Sequence, residues 1–230
     1  MKKYFLPLVL LIYNIVNAQF NFSSHTIMEN INSTEGVTSI NSIDIDGDGD
    51  LDLLSGDYYN VKWFENVGGN NTQIISHTIA DFGANFCAFS DIDNDGDMDV
   101  VTHSSGGISW IENNDGQGNF NSPILLANAS TIHSIFIIDF DNDNDIDILY
   151  SFTGWSNSGI IWLENTTGNG TFVSNTIPQS SNSRAIYALD IDNDNDIDIF
   201  SFDNNTQKIK RLTNNGSLNF TSQIITNGRN

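Results

Sequence analysis

The stretch Asp44-Ile45-Asp46-Gly47-Asp48-Gly49-Asp50-Leu51-Asp52-Leu53-Leu54 sets aspartate on every second position and then turns apolar. Two unit charges ~5 Å apart repel by roughly 3 kcal/mol at an effective dielectric of ~20. Such crowding needs a cation, a partner or disorder. The pattern recurs as DIDNDGDMDVV from Asp91, DFDNDNDIDIL from Asp139 and DIDNDNDIDIF from Asp190, at intervals of 47, 48 and 51 residues. A second motif keeps step with it: WFEN from Trp63, WIEN from Trp110, WLEN from Trp162 and a degenerate RLTN from Arg211. A repeat of this period marks stacked supersecondary units.

Each unit carries short strand signals and no helical periodicity. In the third, the runs 132–139, 146–152, 159–165 and 171–177 are apolar or β-branched and are separated by Gly, Asn and Ser clusters. Four antiparallel strands per unit of about 40–50 residues describe a β-propeller blade. A parallel β-helix, the alternative, has shorter turns and lacks this four-strand meander. The sequence therefore predicts an all-β chain, a β-propeller of four-stranded antiparallel blades, four of them visible. Ser24-His25-Thr26-Ile27 repeats as Ser76-His77-Thr78-Ile79, a fourth-strand segment, which leaves one strand surplus. Two arrangements follow: a closed four-blade ring, or an open or incomplete arc whose free sheet edge invites self-association.

The 230 residues include 29 acidic and 8 basic ones, for a formal charge of -21. Twenty of the acidic residues lie in the four repeated loops, and the rest of the chain is close to neutral. The acidity thus belongs to sites. Nucleic acid is excluded as a partner because no basic patch answers the phosphates. A hydrophobic content of 39% argues against disorder. Residues 1–18 read as a secretory signal peptide: Lys2 and Lys3, an apolar run from Tyr4 to Val16, and a small-residue cleavage pattern before Gln19. The propeller domain is then residues 19–230, with a secreted, extracytoplasmic or cell-surface location and no membrane span. The single cysteine, Cys87, precludes an internal disulfide. It shares its repeat position with Ile40, Ile135 and Ile186, read as a buried strand position.

Carboxylates on alternate residues before a tight turn can converge on one point. Calcium takes about 6–8 oxygens at about 2.3–2.6 Å in irregular geometry. The candidate ligands are Asp44, Asp46, Asp48, Asp50 and Asp52; Asp91, Asp93, Asp95, Asp97 and Asp99; Asp139, Asp141, Asp143, Asp145 and Asp147; and Asp190, Asp192, Asp194, Asp196 and Asp198. The seventh loop position contributes a backbone carbonyl. The sixth needs a positive φ, which Gly49 and Gly96 adopt freely and Asn144 and Asn195 tolerate. An EF-hand requires a Glu at position 12, where this chain has Ser55, Thr102, Tyr150 and Ser201. Zinc is disfavoured because the loops lack His and Cys.

These loops and their period resemble the FG-GAP or VCBS-type repeats of integrin-α-like β-propellers. The resemblance runs from about Phe20 to the end of the chain. It implies that the loop joins the first two strands of each blade and binds calcium, with up to four Ca²⁺ per chain. It implies little about a ligand.

Trp63, Trp110 and Trp162 repeat and are read as packing residues, with Glu65, Glu112 and Glu164 at fixed spacing behind them. No nucleophile elbow, P-loop or Ser/His/Asp set stands out, so no enzyme is expected. Function belongs where the repeats differ. Six residues before each loop stand Thr38, Asn85, His133 and Arg184, at the start of the innermost strands. The turns between second and third strands vary too, and bring Tyr58, Tyr59 and Trp155 to the same face, opposite the acidic loops. Tyr58, Tyr59, His133, Trp155 and Arg184 are the candidate ligand-binding residues. The expected function is a binding or adhesion module for a glycan or a cell-surface protein. The alternatives are a structural segment of a larger surface protein and, more remotely, a propeller polysaccharide lyase, which eight scattered basic residues ill support.

Overall fold

In the computed structural model the described residues are 36–68, 73–129, 131–154, 157–216 and 219–225. The signal segment, the first surplus strand and Trp155 lie outside them. The described residues contain sixteen strands and no helix, hence no helix long and apolar enough to cross a membrane. The strands form four antiparallel four-stranded sheets, each in chain order. The first blade is β1 (Ser39–Ile43), β2 (Asp52–Gly56), β3 (Val61–Asn66) and β4 (Ile74–Ala80). The second is β5 (Phe86–Ser90), β6 (Asp99–Ser104), β7 (Gly107–Ile111) and β8 (Ile124–Ala127). The third is β9 (Ile132–Ile138), β10 (Asp147–Thr153), β11 (Ser158–Asn165) and β12 (Phe172–Thr176). The fourth is β13 (Ser183–Leu189), β14 (Asp198–Asp203), β15 (Lys208–Asn214) and β16 (Phe220–Ile225).

The apolar pairs that end each acidic stretch explain how blades stack. Successive strand residues point to opposite faces. Val100 packs back with Cys87 and Ile111 against Leu54, Val61 and Ala80 of the first blade. Its neighbour Val101 packs forward with Ile108 and Trp110 against Ile148, Tyr150 and Leu163 of the third. Leu149, Ile160 and Trp162 repeat the forward face against Ile186, Ile199 and Leu212 of the fourth. Sandwiched strands are covered on both sides, so β6 and β10 are each buried at five consecutive residues instead of at alternate ones.

Of the two arrangements the sequence allows, the structure has the open one. Three cores join blades one to two, two to three and three to four, and among the described residues none joins four to one. This corrects one expectation. Cys87 is fully buried and Ile186 is 8% exposed, but the equivalent Ile40 is 62% exposed. Repeat position sets which face a residue occupies. Burial needs a neighbouring blade, and no described blade covers that face of the first.

Candidate metal centre

Each acidic stretch closes the hairpin between the first two strands of its blade, as the register Ile43↔Asp52 and Ser90↔Asp99 requires. The fourth and sixth loop positions are left-handed in every copy: Gly47 and Gly49, Asn94 and Gly96, Asn142 and Asn144, Asn193 and Asn195. That curl turns the carboxylates inward. Oxygens of Asp44, Asp46 and Asp48 lie within 4.8 Å of one another, as do those of Asp91, Asp93 and Asp95, of Asp139, Asp141 and Asp147, and of Asp190, Asp192 and Asp194.

The ninth-position aspartate has a different task in most loops. Asp52 accepts the Ile45 N–H at 3.1 Å and the Asn66 N–H at 2.8 Å, and Asp99 accepts those of Ile92 and Asn113 at the same distances. It staples the loop to the third strand of its own blade. Asp147 makes the matching bonds to Phe140 and Asn165 and also joins its cluster. The seventh-position side chains of Asp50, Asp97, Asp145 and Asp196, and the fifth-position Asp143, stand outside the convergent sets. Asp145 accepts the Asn94 amide of the preceding loop at 2.8 Å.

The sixth residue divides the loops. Gly49 and Gly96 reach φ of 96° and 95°, whereas Asn144 and Asn195 stay at 74° and 72°. In the asparagine loops both oxygens of the first carboxylate are taken by backbone N–H groups: Asp139 by Asp143 and Asn144, Asp190 by Asn193, Asp194 and Asn195. In the glycine loops Oδ2 of Asp44 and of Asp91 is taken by Gly49 and Gly96. Their Oδ1 atoms, and Asp93 Oδ1, are buried without a hydrogen-bond partner. A buried, unpaired carboxylate oxygen is costly unless a cation answers it. The donor set, all hard anionic oxygen, fits calcium. Burial, then repulsion from Asp48 and Asp52, holds Asp46 above the usual carboxylate range. Burial, then the charges of Asp143 and Asp147, pushes Asp141 up to about 6.

Of the expected ligand residues, Tyr58, Tyr59, His133 and Arg184 are described, and they sit at the other end of the blades. The Thr38 N–H donates to Gly56 O and the Asn85 N–H to His103 O, so the starts of β1 and β5 lie beside the turns that follow β2 and β6. Tyr58 and Tyr59 are exposed on the first of these turns, whose Asp57 side chain accepts the Tyr59 and Asn60 N–H groups. His133 and Arg184 are brought near one another: burial, then the Arg184 charge, holds His133 below its ordinary value. His133 Nε2 contacts Thr153 Oγ1 at 2.8 Å.

Sequence reasoning passed over the asparagine that ends each W-x-E-N motif. Asn113 Nδ2 donates to Ile45 O inside the first blade's loop, and Asn165 Nδ2 to Ile92 O inside the second's. These side chains clip each acidic loop to the next blade. The signal was available: Asn66, Asn113, Asn165 and Asn214 occur in all four repeats, including the one that loses both Trp and Glu. The glutamates bond across to the fourth strand or the loop before it, to His77 at 2.8 Å, Asn121 at 2.9 Å and Asn175 at 2.7 Å.

Stacked four-stranded blades, each with an acidic hairpin loop on one common end, define an open β-propeller with candidate cation sites. Residues 44–102 and 91–150 each match the FG-GAP-like repeat family. Residues 44–150 are thus FG-GAP-type repeats. No curated protein matches it. Among solved structures it resembles one described as the structural basis of specific recognition of non-reducing terminal N-acetylglucosamine by an Agrocybe aegerita lectin. The TM-score is 0.59 at 21% identity, over 81% of this chain and 51% of that one. The chain thus spans about half the length of that structure.

Proposed function

We propose that the protein is a secreted, calcium-stabilised propeller module that binds a glycan or a surface protein and catalyses no reaction. The buried, unpaired oxygens of Asp44, Asp91 and Asp93 carry the calcium part of this reading. Asp44, Asp46 and Asp48, Asp91, Asp93 and Asp95, and Asp139, Asp141 and Asp147 are the residues that would hold the ions. A divalent cation bound there supplies the positive charge that offsets the repulsion among each set. Asp52, Asp99 and Asp147 hold loop and strand together beneath it. Because Asn113 and Asn165 clip these loops to the next blade, an ordered loop also orders a blade interface. Metal binding then contributes to folding free energy.

The lectin likeness supports recognition of a saccharide. Two surfaces suit one. The first is the Tyr58 and Tyr59 face, where exposed aromatics offer flat apolar area. The second is a cleft of about 260 Å³ between the first two blades, lined by His77, Asn114, Asn119 and Asn121. There His77 stacks on Trp63 with ring centroids 4.4 Å apart. Amide groups beside an aromatic stack match a sugar's hydroxyls and its apolar face, and a concave site encloses more of a small ligand.

The test is a glycan array probed in calcium and again in chelator, beside melting curves in both. We expect saccharide capture in calcium only, and a melting temperature clearly lowered by chelator. Asn119→Ala abolishes capture if the cleft is the site, and Tyr58→Ala if the opposite face is. Calcium-dependent melting without capture of any glycan or surface protein leaves a structural segment of a larger surface protein, a reading compatible with the two blade faces that no described blade covers. An unchanged melting curve overturns the calcium reading, and turnover of an acidic polysaccharide overturns the non-enzymatic one.

A further inference from the structure

The fourth acidic loop differs from the other three in what its blade's third strand brings to it. The position occupied by Trp63, Trp110 and Trp162 is Arg211. Its Nη2 lies 2.6 Å from Asp192 Oδ2 and 2.7 Å from Asp198 Oδ2. Asp192 holds the third loop position and Asp198 the ninth. One guanidinium therefore bridges two carboxylates of the loop, including the equivalent of the ligand candidates Asp46, Asp93 and Asp141. Asp198 Oδ1 meanwhile takes the Asn214 N–H at 2.8 Å, as its counterparts do. Both oxygens of Asp190 are already bonded to backbone. Guanidinium stays charged at any ordinary pH, and its bonds to Asp198 raise Arg211 further.

The exchange of tryptophan for arginine has a physical reason. Trp63 is covered by Gly118 of the second blade and Trp110 by Gly170 of the third. No described blade covers the forward face of the fourth, where Ile209 is 51% and Tyr187 58% exposed. An indole there would have no described blade packed on it, whereas the arginine lies across that face and reaches the loop.

We propose that Arg211 is a tethered cation that occupies the fourth loop in place of a divalent ion, so that the chain saturates at three calcium ions and not four. This rests on the calcium reading of the first three loops. The fourth blade, whose forward face no described blade braces, is thereby fastened independently of metal. The third loop is the internal comparison: it shares asparagine at the sixth position and differs in carrying Trp162 on its blade.

Calcium alone is the probe, with stoichiometry read by native mass spectrometry on the full chain. Backbone hydrogen exchange in chelator is the second readout. Wild type and Arg211→Lys should take three ions, and Arg211→Ala and Arg211→Gln four. In chelator, the Asn193, Asn195 and Asp196 amides should stay protected in wild type and exchange at least tenfold faster in Arg211→Ala, while Gly49 and Gly96 exchange alike in both. Four ions in wild type, or three in every variant, overturns the proposal. Equal exchange at Asn193, Asn195 and Asp196 with and without Arg211 also overturns it. Binding of no ion anywhere is the separate failure of the calcium reading, and the exchange measurement still decides the arginine's part.

Discussion

Lys210 shows how a single side chain fastens the last blade from its buried side. It is 6% exposed, and its Nζ lies 3.0 Å from Asp203 Oδ2 and 2.9 Å from the carbonyl of Ser181. It thus ties the β14–β15 hairpin to the segment linking the third and fourth blades. Asp203 Oδ1 is held by the Asn205 and Thr206 N–H groups, so the carboxylate cannot swing away to solvent. Removing one partner of a buried ion pair leaves the other uncompensated and costs about 3–5 kcal/mol. We expect Lys210→Ala to lose stability on that scale, read as a lower urea midpoint. A change within about 0.5 kcal/mol, typical of a surface site, would show the pair to be solvent-screened. The neighbouring position, Arg211, faces the other side of the strand, which is why two adjacent cations serve opposite faces of one blade.

At the level of the element, the loop between the third and fourth strands of one blade is the cap on the tryptophan of the blade before. Gly118 has φ +79°, and a Cβ there would lie 2.1 Å from Trp63 Cζ3. Gly170 has φ +74°, and a Cβ would lie 2.3 Å from Trp110 Cζ3. Both conformation and space demand glycine. A non-glycine residue held in a left-handed conformation costs of order 1–3 kcal/mol before any clash is counted. Gly118→Ala should therefore destabilise the protein by at least about that amount and raise the fluorescence accessibility of Trp63 to a soluble quencher. Gly49→Ala, also at positive φ but with nothing within 4 Å of the added Cβ, is the control. It carries backbone strain alone and should leave Trp63 as protected as in wild type. Equal quenching in the two variants would refute the capping role.

Across the whole molecule, the acidic loops set a dependence on pH that metal should reverse. Burial, opposed by the Asn113 and Ile92 N–H groups, pushes Asp99 up to about 6, and Asp141 rises to about 6 as well. Unfolded, each returns to 3.8. The metal-free fold therefore binds more protons than the unfolded chain between these values, and its stability falls as pH rises from about 4 to about 6. With saturating calcium the ions compete with those protons, and stability should instead climb over the same interval. Melting curves at pH 4, 5 and 6 in chelator and in calcium decide the matter. Parallel trends in the two series would mean that the clusters carry no metal.

Much of this was legible before any coordinates. The third repeat's four expected runs fall within a residue or so of β9 to β12, because each is bounded by turn chemistry and the apolar pattern changes sharply at its ends. The acidic turns, their positive-φ residues and the blade count are local properties written four times over, and repetition averages out the ambiguity of any one copy. What local pattern could not carry was everything that depends on a neighbour. Ile40 and Ile186 look alike in sequence and differ in whether a described blade lies against them. Asn113 and Asn165 look like turn residues until the preceding blade's loop comes within reach. Arg211 reads as a decayed motif, and only the folding of β15 beside the fourth loop turns it into that loop's cation. Sequence spacing determines which side chains share a face. Which partner each face meets is decided by long-range packing, where the free energy lies in surfaces that no single repeat contains.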